Sequence, residues 1–336
     1  MPPTPAAFAD AFVLTGATGS GKSAVALELA EELGGEIVAM DSMTLYRGMD
    51  IGTAKPTAAE RARVPHHLID VLEPWESGSV AWWLDRAATA CADIRARGKR
   101  PIFVGGTSLY LKALMHGLFE APAVDPAIRA KWETEAARVG NVALHEQLAA
   151  VDTKAAAKLH PNDVRRVVRA LEVFDATGTP LSALQTSWAE APAELPCVVL
   201  DWPRDELYRQ IDERVRTMLD GGWVDEARQL LALPRPLGPE ARQALGYGDL
   251  FAHLSAGLPW ADAVASIQTR TRQFAKRQLT WFRALPAAVW VSATESRLAA
   301  QVREAWDKDS AGAGVPRSEN AAENGEGVNP GNGRVL

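Results

Sequence analysis

Gly16-Ala17-Thr18-Gly19-Ser20-Gly21-Lys22-Ser23 matches the pattern G-x-x-x-x-G-K-[ST] at every fixed position. Glycines let the backbone turn tightly, so that successive N–H groups point into one concave space. A helix N-terminus behind the loop adds a partial positive charge, and Lys22 adds a full one. Ser23 is of the type that ligates magnesium in such loops. Gly16 to Ser23 therefore reads as a phosphate-binding loop. A loop of this pattern commonly serves ATP or another nucleotide, but it identifies a phosphate ligand and not a reaction.

The flanks support that reading. Ala11–Thr15 is a short apolar run expected to be a buried strand, and Ser23–Leu33 reads as a helix. Glu36–Met40, His66–Leu72 and Pro101–Val104 read as further strands, alternating with helical stretches. That alternation predicts βαβ units in a parallel sheet. From Pro126 to Ala176 only helical periodicity is found; Pro161-Asn162-Asp163 signals a helix start, with Val164, Val167, Val168 and Leu171 as its apolar stripe. Strand-like runs return at Cys197–Asp201 and Val289–Ser292, with a helix over Leu207–Leu219 between them. The expected fold is α/β: a P-loop NTPase-like parallel sheet flanked by helices, carrying an all-helical insertion. Residues 1–116 and 197–308 are expected to form the core and 117–196 the insertion. Asp309 to Leu336, rich in Gly, Asn, Glu and Ala, is expected to be a disordered tail.

The 336 residues are 47% hydrophobic and 23% charged, which fits a globular protein with one large core and a smaller one. No run of eighteen apolar residues occurs, so no membrane span is expected, and Met1 to Asp10 has no signal-peptide pattern. Cys91 and Cys197 make no metal spacing and read as reduced thiols of a cytoplasmic protein. His66-His67 is left as structural, because neighbours on a strand point to opposite faces. The net charge of −6 does not suggest nucleic acid, so any such surface must come from local clustering.

Two basic clusters exist. Residues 263–294 contain Arg270, Arg272, Lys276, Arg277 and Arg283 and no acid. On a helix, Phe274, Trp281 and Leu285 are expected to form the anchored stripe, with Arg272, Lys276 and Arg283 outside. Arg165, Arg166 and Arg169 make the second cluster, in the insertion. Charge runs are often plain solvated faces, but two flanking a crevice suit a polyanion. Asp41, at the end of the second strand, is placed to face the ligand crevice. The strand Pro101–Val104 ends in Gly105-Gly106-Thr107, without the carboxylate that phosphoryl transfer usually needs.

Residues Glu36 to Pro56, Val104-Gly105-Gly106-Thr107-Ser108-Leu109-Tyr110, His160-Pro161-Asn162-Asp163 and Arg169-Ala170-Leu171-Glu172 closely resemble the tRNA dimethylallyltransferase (IPP transferase) family, from about Phe12 to Phe282. The resemblance implies transfer of a dimethylallyl group from dimethylallyl diphosphate to the exocyclic amine of the adenosine 3′ to the anticodon. It implies Asp41 as general base, Thr18 and Arg214 as catalytic residues beside the diphosphate, and Mg²⁺ as cofactor. It implies tRNA contacts at Asp41, Ser42, Met43, Thr44, Thr107, Arg165, Arg166 and Arg169, which the helix residues Arg272, Lys276 and Arg283 are expected to extend. A monomer acting on the anticodon stem-loop is expected, without the zinc-finger extension of eukaryotic relatives. Two departures stand out: Gly248-Asp249 follows Gly246-Tyr247 where a basic-polar pair is usual, and Phe119 to Asp125 is a loose version of the family segment. The alternatives are a small-molecule or nucleoside kinase, which would need a base pocket and an acid after Val104, and a non-catalytic tRNA-binding protein with a vestigial loop.

Overall fold

A computed structural model describes residues 3–118, 124–185, 195–285 and 288–312. Six strands form one parallel sheet: β1 (Phe12–Gly16), β2 (Glu36–Ala39), β3 (His66–His67), β4 (Pro101–Val104), β5 (Cys197–Asp201) and β6 (Val289–Ser292). Their spatial order is β3-β2-β4-β1-β5-β6, with β1 in the middle. The connection after β1 runs to one side of the sheet and that after β4 runs to the other. The carboxyl end of β1 is thus a topological switch point, where open α/β sheets hold ligands.

Every residue of β1 is buried, which explains its continuous apolar run. The period of two sorts its side chains between two cores. Val13, Val38, Phe103 and Val199 face one layer; Phe12, Leu14, Ile37, Ile102, Val198 and Leu200 face the other. The helices, in chain order, begin with α1 (Lys22–Leu33), α2 (Ala58–Arg63), α3 (Val80–Ala96) and α4 (Ser108–His116). Then come α5 (Pro126–Val139), α6 (Asn141–Val151), α7 (Thr153–Ala156), α8 (Val164–Thr177) and α9 (Leu181–Leu184). The last five are α10 (Arg204–Asp220), α11 (Trp223–Leu231), α12 (Tyr247–Ala256), α13 (Trp260–Phe282) and α14 (Leu298–Gly312). α1 and α14 cover the second face, where the Trp306 ring stacks on Phe12 at 4.6 Å. α3, α4 and parts of α10 to α13 cover the first.

Helices α5 to α9 pack on one another around Leu144, Leu148, Val167, Val168 and Leu171. The stripe expected after Pro161 is therefore the apolar spine of α8. Glu172 on the same helix is buried and meets Arg169 and Arg129.

Three expectations need correction. His66–Leu72 is a strand only at His66–His67, because Leu68 and Asp70 take φ of +62° and +56°, which an extended strand does not allow. Asp70 instead accepts from Lys55 at 2.5 Å and from Arg61 at 2.7 Å. Residues 309–312, assigned above to the tail, continue helix α14, while 313–336 lie outside the described residues, as do residues 119–123 of the loose family segment. The third concerns α13. Its buried positions are Ala263, Ile267, Ala275, Gln278 and Phe282, whereas Phe274 is 36% exposed. The helix also ends at Phe282, before Leu285. Trp281 and Leu285 pack against the core as expected, but only partly buried, while the fully buried line takes in a polar residue, Gln278, and leaves Phe274 out.

Candidate active site

β1 delivers the chain into the loop Gly16–Ser23, and Gly21, at φ +80°, opens helix α1. That left-handed conformation suits glycine alone without strain. The loop is held from three sides. Thr15 donates its hydroxyl to the Gly105 carbonyl at 2.8 Å, and Trp202 donates to the Ser20 carbonyl at 3.0 Å. Gln278 of α13 accepts from the Thr18 N–H and donates to the Gly106 carbonyl, both at 2.8 Å. One amide side chain therefore ties the loop to the end of β4.

A crevice of 680 Å³ opens over this loop, lined by Thr18, Gly21, Lys22, Ser23 and Asp41, and by Arg214 of α10. Lys22 reaches back to the Ala17 carbonyl at 3.3 Å. Burial, reinforced by the Arg214 guanidinium, lowers the Lys22 amine to about 8, with Asp41 opposing the fall. Burial likewise lowers Arg214, again opposed by Asp41. Two cations and one carboxylate thus act on one another here, and the cations outnumber the anion. The surplus suits a multiply charged anion.

Asp41 begins a turn that it organises itself. Its Oδ1 accepts from the Met43 N–H at 2.8 Å, and the Thr44 hydroxyl donates to the Asp41 carbonyl at 3.2 Å. This fixes the carboxylate in the crevice wall, so capping a turn and facing the crevice are one arrangement. Ser42, Met43 and Thr44 line the same wall. The Thr107 hydroxyl, just after β4, accepts from the Ser42 N–H at 3.1 Å and joins the turn to the sheet.

The basic clusters are disposed unequally. Arg165 of α8 is exposed and donates to Gln243 at 3.1 Å, and Gln243 lines the crevice. Arg166 pairs with Asp163 at 3.4 Å, and Arg169 with Glu172 at 2.5 Å. Arg272 is engaged by Asp212 of α10 and only partly exposed. Lys276 and Arg283 are exposed, but they are not among the crevice-lining residues. The α13 residues that do line it, with Gln278, are Thr271, Phe274 and Arg277, whose guanidinium lies 5.9 Å from the Phe274 ring. Gln278, Phe274 and Arg277 were all missed as site residues. A glutamine at the spacing of Ile267, Thr271, Ala275 and Phe282 was the available signal.

Gly248-Asp249 also finds its place. Asp249 is buried, accepts from Ser266 at 2.7 Å and meets Arg270 at 3.4 Å, tying α12 to α13. Among the described residues no group of three His, Cys, Asp or Glu could hold a metal. No helix among them is long and apolar enough to cross a membrane.

Fold and crevice together define an α/β protein whose parallel sheet carries a cation-lined crevice at its switch point. Comparison with known proteins narrows this. The IPP transferase family model matches residues 44–285, and an isopentenyl transferase model matches residues 9–70. The tRNA dimethylallyltransferase of Geobacter metallireducens is 49% identical over 281 residues, covering 83% of this chain and 91% of that one. That of Anaeromyxobacter dehalogenans is 48% identical, covering 83% and 94%. The crystal structure of the full-length tRNA isopentenylpyrophosphate transferase from Bacillus halodurans superposes with a TM-score of 0.66 at 36% identity, covering 90% of this chain and 98% of that one. A eukaryotic dimethylallyltransferase, in a structure described as acting on tRNA, gives 0.75 at 28% identity, covering 92% and 81%. The chain belongs to the IPP transferase family.

Proposed function

We infer that the chain transfers a dimethylallyl group from dimethylallyl diphosphate to the exocyclic amine of the adenosine 3′-adjacent to the tRNA anticodon, releasing diphosphate. The observation that carries this reading is the grouping of Lys22, Arg214 and Asp41 in one crevice over the phosphate loop, with no acid after β4. Two cations suit a diphosphate that gains charge as it leaves. One carboxylate suits an amine that must lose a proton. A kinase would need a further acid to organise phosphoryl transfer.

In this reading the adenine is flipped out of the anticodon loop into the crevice. Its amine nitrogen attacks the primary allylic carbon, the C–O bond to diphosphate breaks, and the amine proton passes to Asp41. The Asp41 oxygen that is not held by Met43 is the acceptor. The amides of Gly16 to Ser23, the Thr18 hydroxyl, Lys22 and Arg214 hold the departing oxygens. Ser23 faces the crevice at the first turn of α1 and would be the protein's ligand to magnesium. A single serine fits, because magnesium beside phosphates keeps waters and phosphate oxygens as its other ligands. When bound it would neutralise part of the leaving charge.

The helices α5 to α9, with Arg165, Arg166 and Arg169, and the outer face of α13, with Arg272, Lys276 and Arg283, are proposed to grip the anticodon stem-loop. Arg277 and Phe274 join them on geometric grounds. The deciding experiment is mass spectrometry of tRNA nucleosides after incubation with this protein, magnesium and dimethylallyl diphosphate. One dimethylallyl group on a single adenosine is expected. Unmodified tRNA, with phosphate transferred to a small molecule in the presence of ATP, would establish the kinase instead.

A further inference from the structure

Part of the crevice lining is an indole held in place from both sides. Along α10 from Arg214, Val215 and, one turn on, Met218 line the crevice, and so do Leu245 and Trp223, the first residue of α11. Val215, Met218, Leu245 and Trp223 give the crevice an apolar stretch of lining. The indole lies between two glycines. A Cβ on Gly52 would come within 2.0 Å of the Trp223 Nε1, and one on Gly246 within 2.3 Å of its outer ring carbon. Both glycines are required for the ring to fit, and their backbones leave it no room to swing.

The slot is locked by Glu226, one turn after Trp223. Its buried carboxylate accepts from the N–H groups of Asp50 and Ile51 at 2.7 Å each and Gly52 at 3.1 Å. The Tyr247 hydroxyl donates to it at 2.6 Å, and the Tyr247 ring meets the indole edge-on at 5.6 Å. A buried carboxylate with four donors is strongly held, so Trp223 is a rigid stop.

The geometry points to Trp223 as the residue that sets the length of prenyl chain this enzyme accepts. The inference rests on dimethylallyl diphosphate being the donor. With the diphosphate on the loop and Arg214, the allylic chain runs past Val215 toward the indole. One helical turn, from Arg214 to Met218, advances about 5.4 Å. A dimethylallyl chain, four carbons long at bonds of ~1.5 Å, extends about 4 Å, less than that turn. A geranyl chain extends about 9 Å by the same measure, well past it, and needs the space the indole fills.

The test compares kcat/KM for geranyl and dimethylallyl diphosphates on one tRNA, with inhibition by inorganic diphosphate as the measure of the phosphate end. Trp223→Phe shortens the stop and keeps a ring between the glycines. It should raise the geranyl-to-dimethylallyl ratio at least tenfold while inhibition by diphosphate stays within about threefold of the unaltered protein. Should that variant fail to fold, Met218→Ala enlarges the same apolar stretch without entering the slot and should raise the ratio about threefold. An unchanged ratio in a folded variant overturns the role of the indole. No dimethylallyl product from the unaltered protein overturns the activity itself, and the two failures are read from different lanes of the same experiment.

Discussion

The side-chain carbonyl of Gln278 accepts the backbone N–H of Thr18 at 2.8 Å, joining positions 260 residues apart in the sequence. The same side chain donates to the Gly106 carbonyl, so Gln278 fixes the phosphate loop relative to β4. Gln278→Ala should leave both backbone groups without that partner. Each orphaned buried group costs about 1–3 kcal/mol. The variant should melt lower by that order and show a raised KM for the donor. Gln278→Glu should do worse on donor affinity, since a carboxylate cannot donate to the Gly106 carbonyl and brings negative charge to the loop. A melting point and donor KM both near normal in Gln278→Ala would show that the loop holds its shape alone.

Lys22 offers a pH signature. Burial holds its amine at about 8 in the free protein, below its ordinary value of 10.5. A diphosphate favours the charged form, so binding above pH 8 must take up a proton. Donor affinity should therefore be flat below pH 8 and weaken above it, by up to tenfold per pH unit. The sign for folding is opposite: a lysine with a lowered folded value binds fewer protons than the unfolded chain between about 8 and 10.5, so its contribution to stability rises with pH in that window. Lys22→Met should abolish the slope in donor affinity and lower affinity by more than about 1.5 kcal/mol at pH 7, the lower range for a charged contact. Titration calorimetry at pH 7, 8 and 9 checks both.

The basic face of α13 divides into residues that differ in how free they are. Arg272 is engaged by Asp212, whereas Arg277 stands at the crevice beside Phe274. Neutralising a phosphate contact lowers the slope of log affinity against log salt by about one unit. Arg277→Gln should show that loss and Arg272→Gln less of it, although both belong to one cluster in the sequence. Lys276→Gln and Arg283→Gln should each show the full loss if the outer face meets the stem. Filter binding of tRNA between low and moderate salt measures the slopes, and slopes unchanged from the unaltered protein in all four variants would return this helix to a plain solvated surface.

The position of the Gly16–Ser23 loop between strand and helix, the central strands and the placing of Asp41 beside the crevice were legible because each depends on local chemistry. A glycine-rich turn before a helix and an acid at a strand's end are visible over a few residues. β3 was overestimated because its end is set by the distant Lys55 and Arg61, which draw Asp70 out of the strand. The buried line of α13 was misjudged at Phe274 and Gln278, because Gln278 is buried by its two bonds to the core and hydrophobic spacing counts a glutamine as surface. Trp223 and Glu226 were invisible for the same reason: their partners lie about 170 residues earlier, around Gly52.

Asp41 is the residue that best separates alkyl transfer from the alternatives. One carboxylate oxygen is already committed to the Met43 N–H, so substitution has two separable consequences. Asn keeps an oxygen for that turn but cannot take the amine proton. Asp41→Asn should therefore lower the single-turnover rate roughly a hundredfold or more, the usual span for loss of a general base. Melting should change by less than about a kcal/mol, since the turn keeps its acceptor. Donor affinity should hold or improve slightly, because the phosphate loop is intact and a negative charge has left the crevice. Asp41→Ala removes both functions and should add a stability loss of about 1 kcal/mol to the same rate defect. Donor affinity falling in step with rate in Asp41→Asn would instead assign the carboxylate to magnesium. A near-normal rate per folded molecule would leave it a turn cap alone. Rapid-quench kinetics, donor titration and thermal melting on the two variants together distinguish these outcomes.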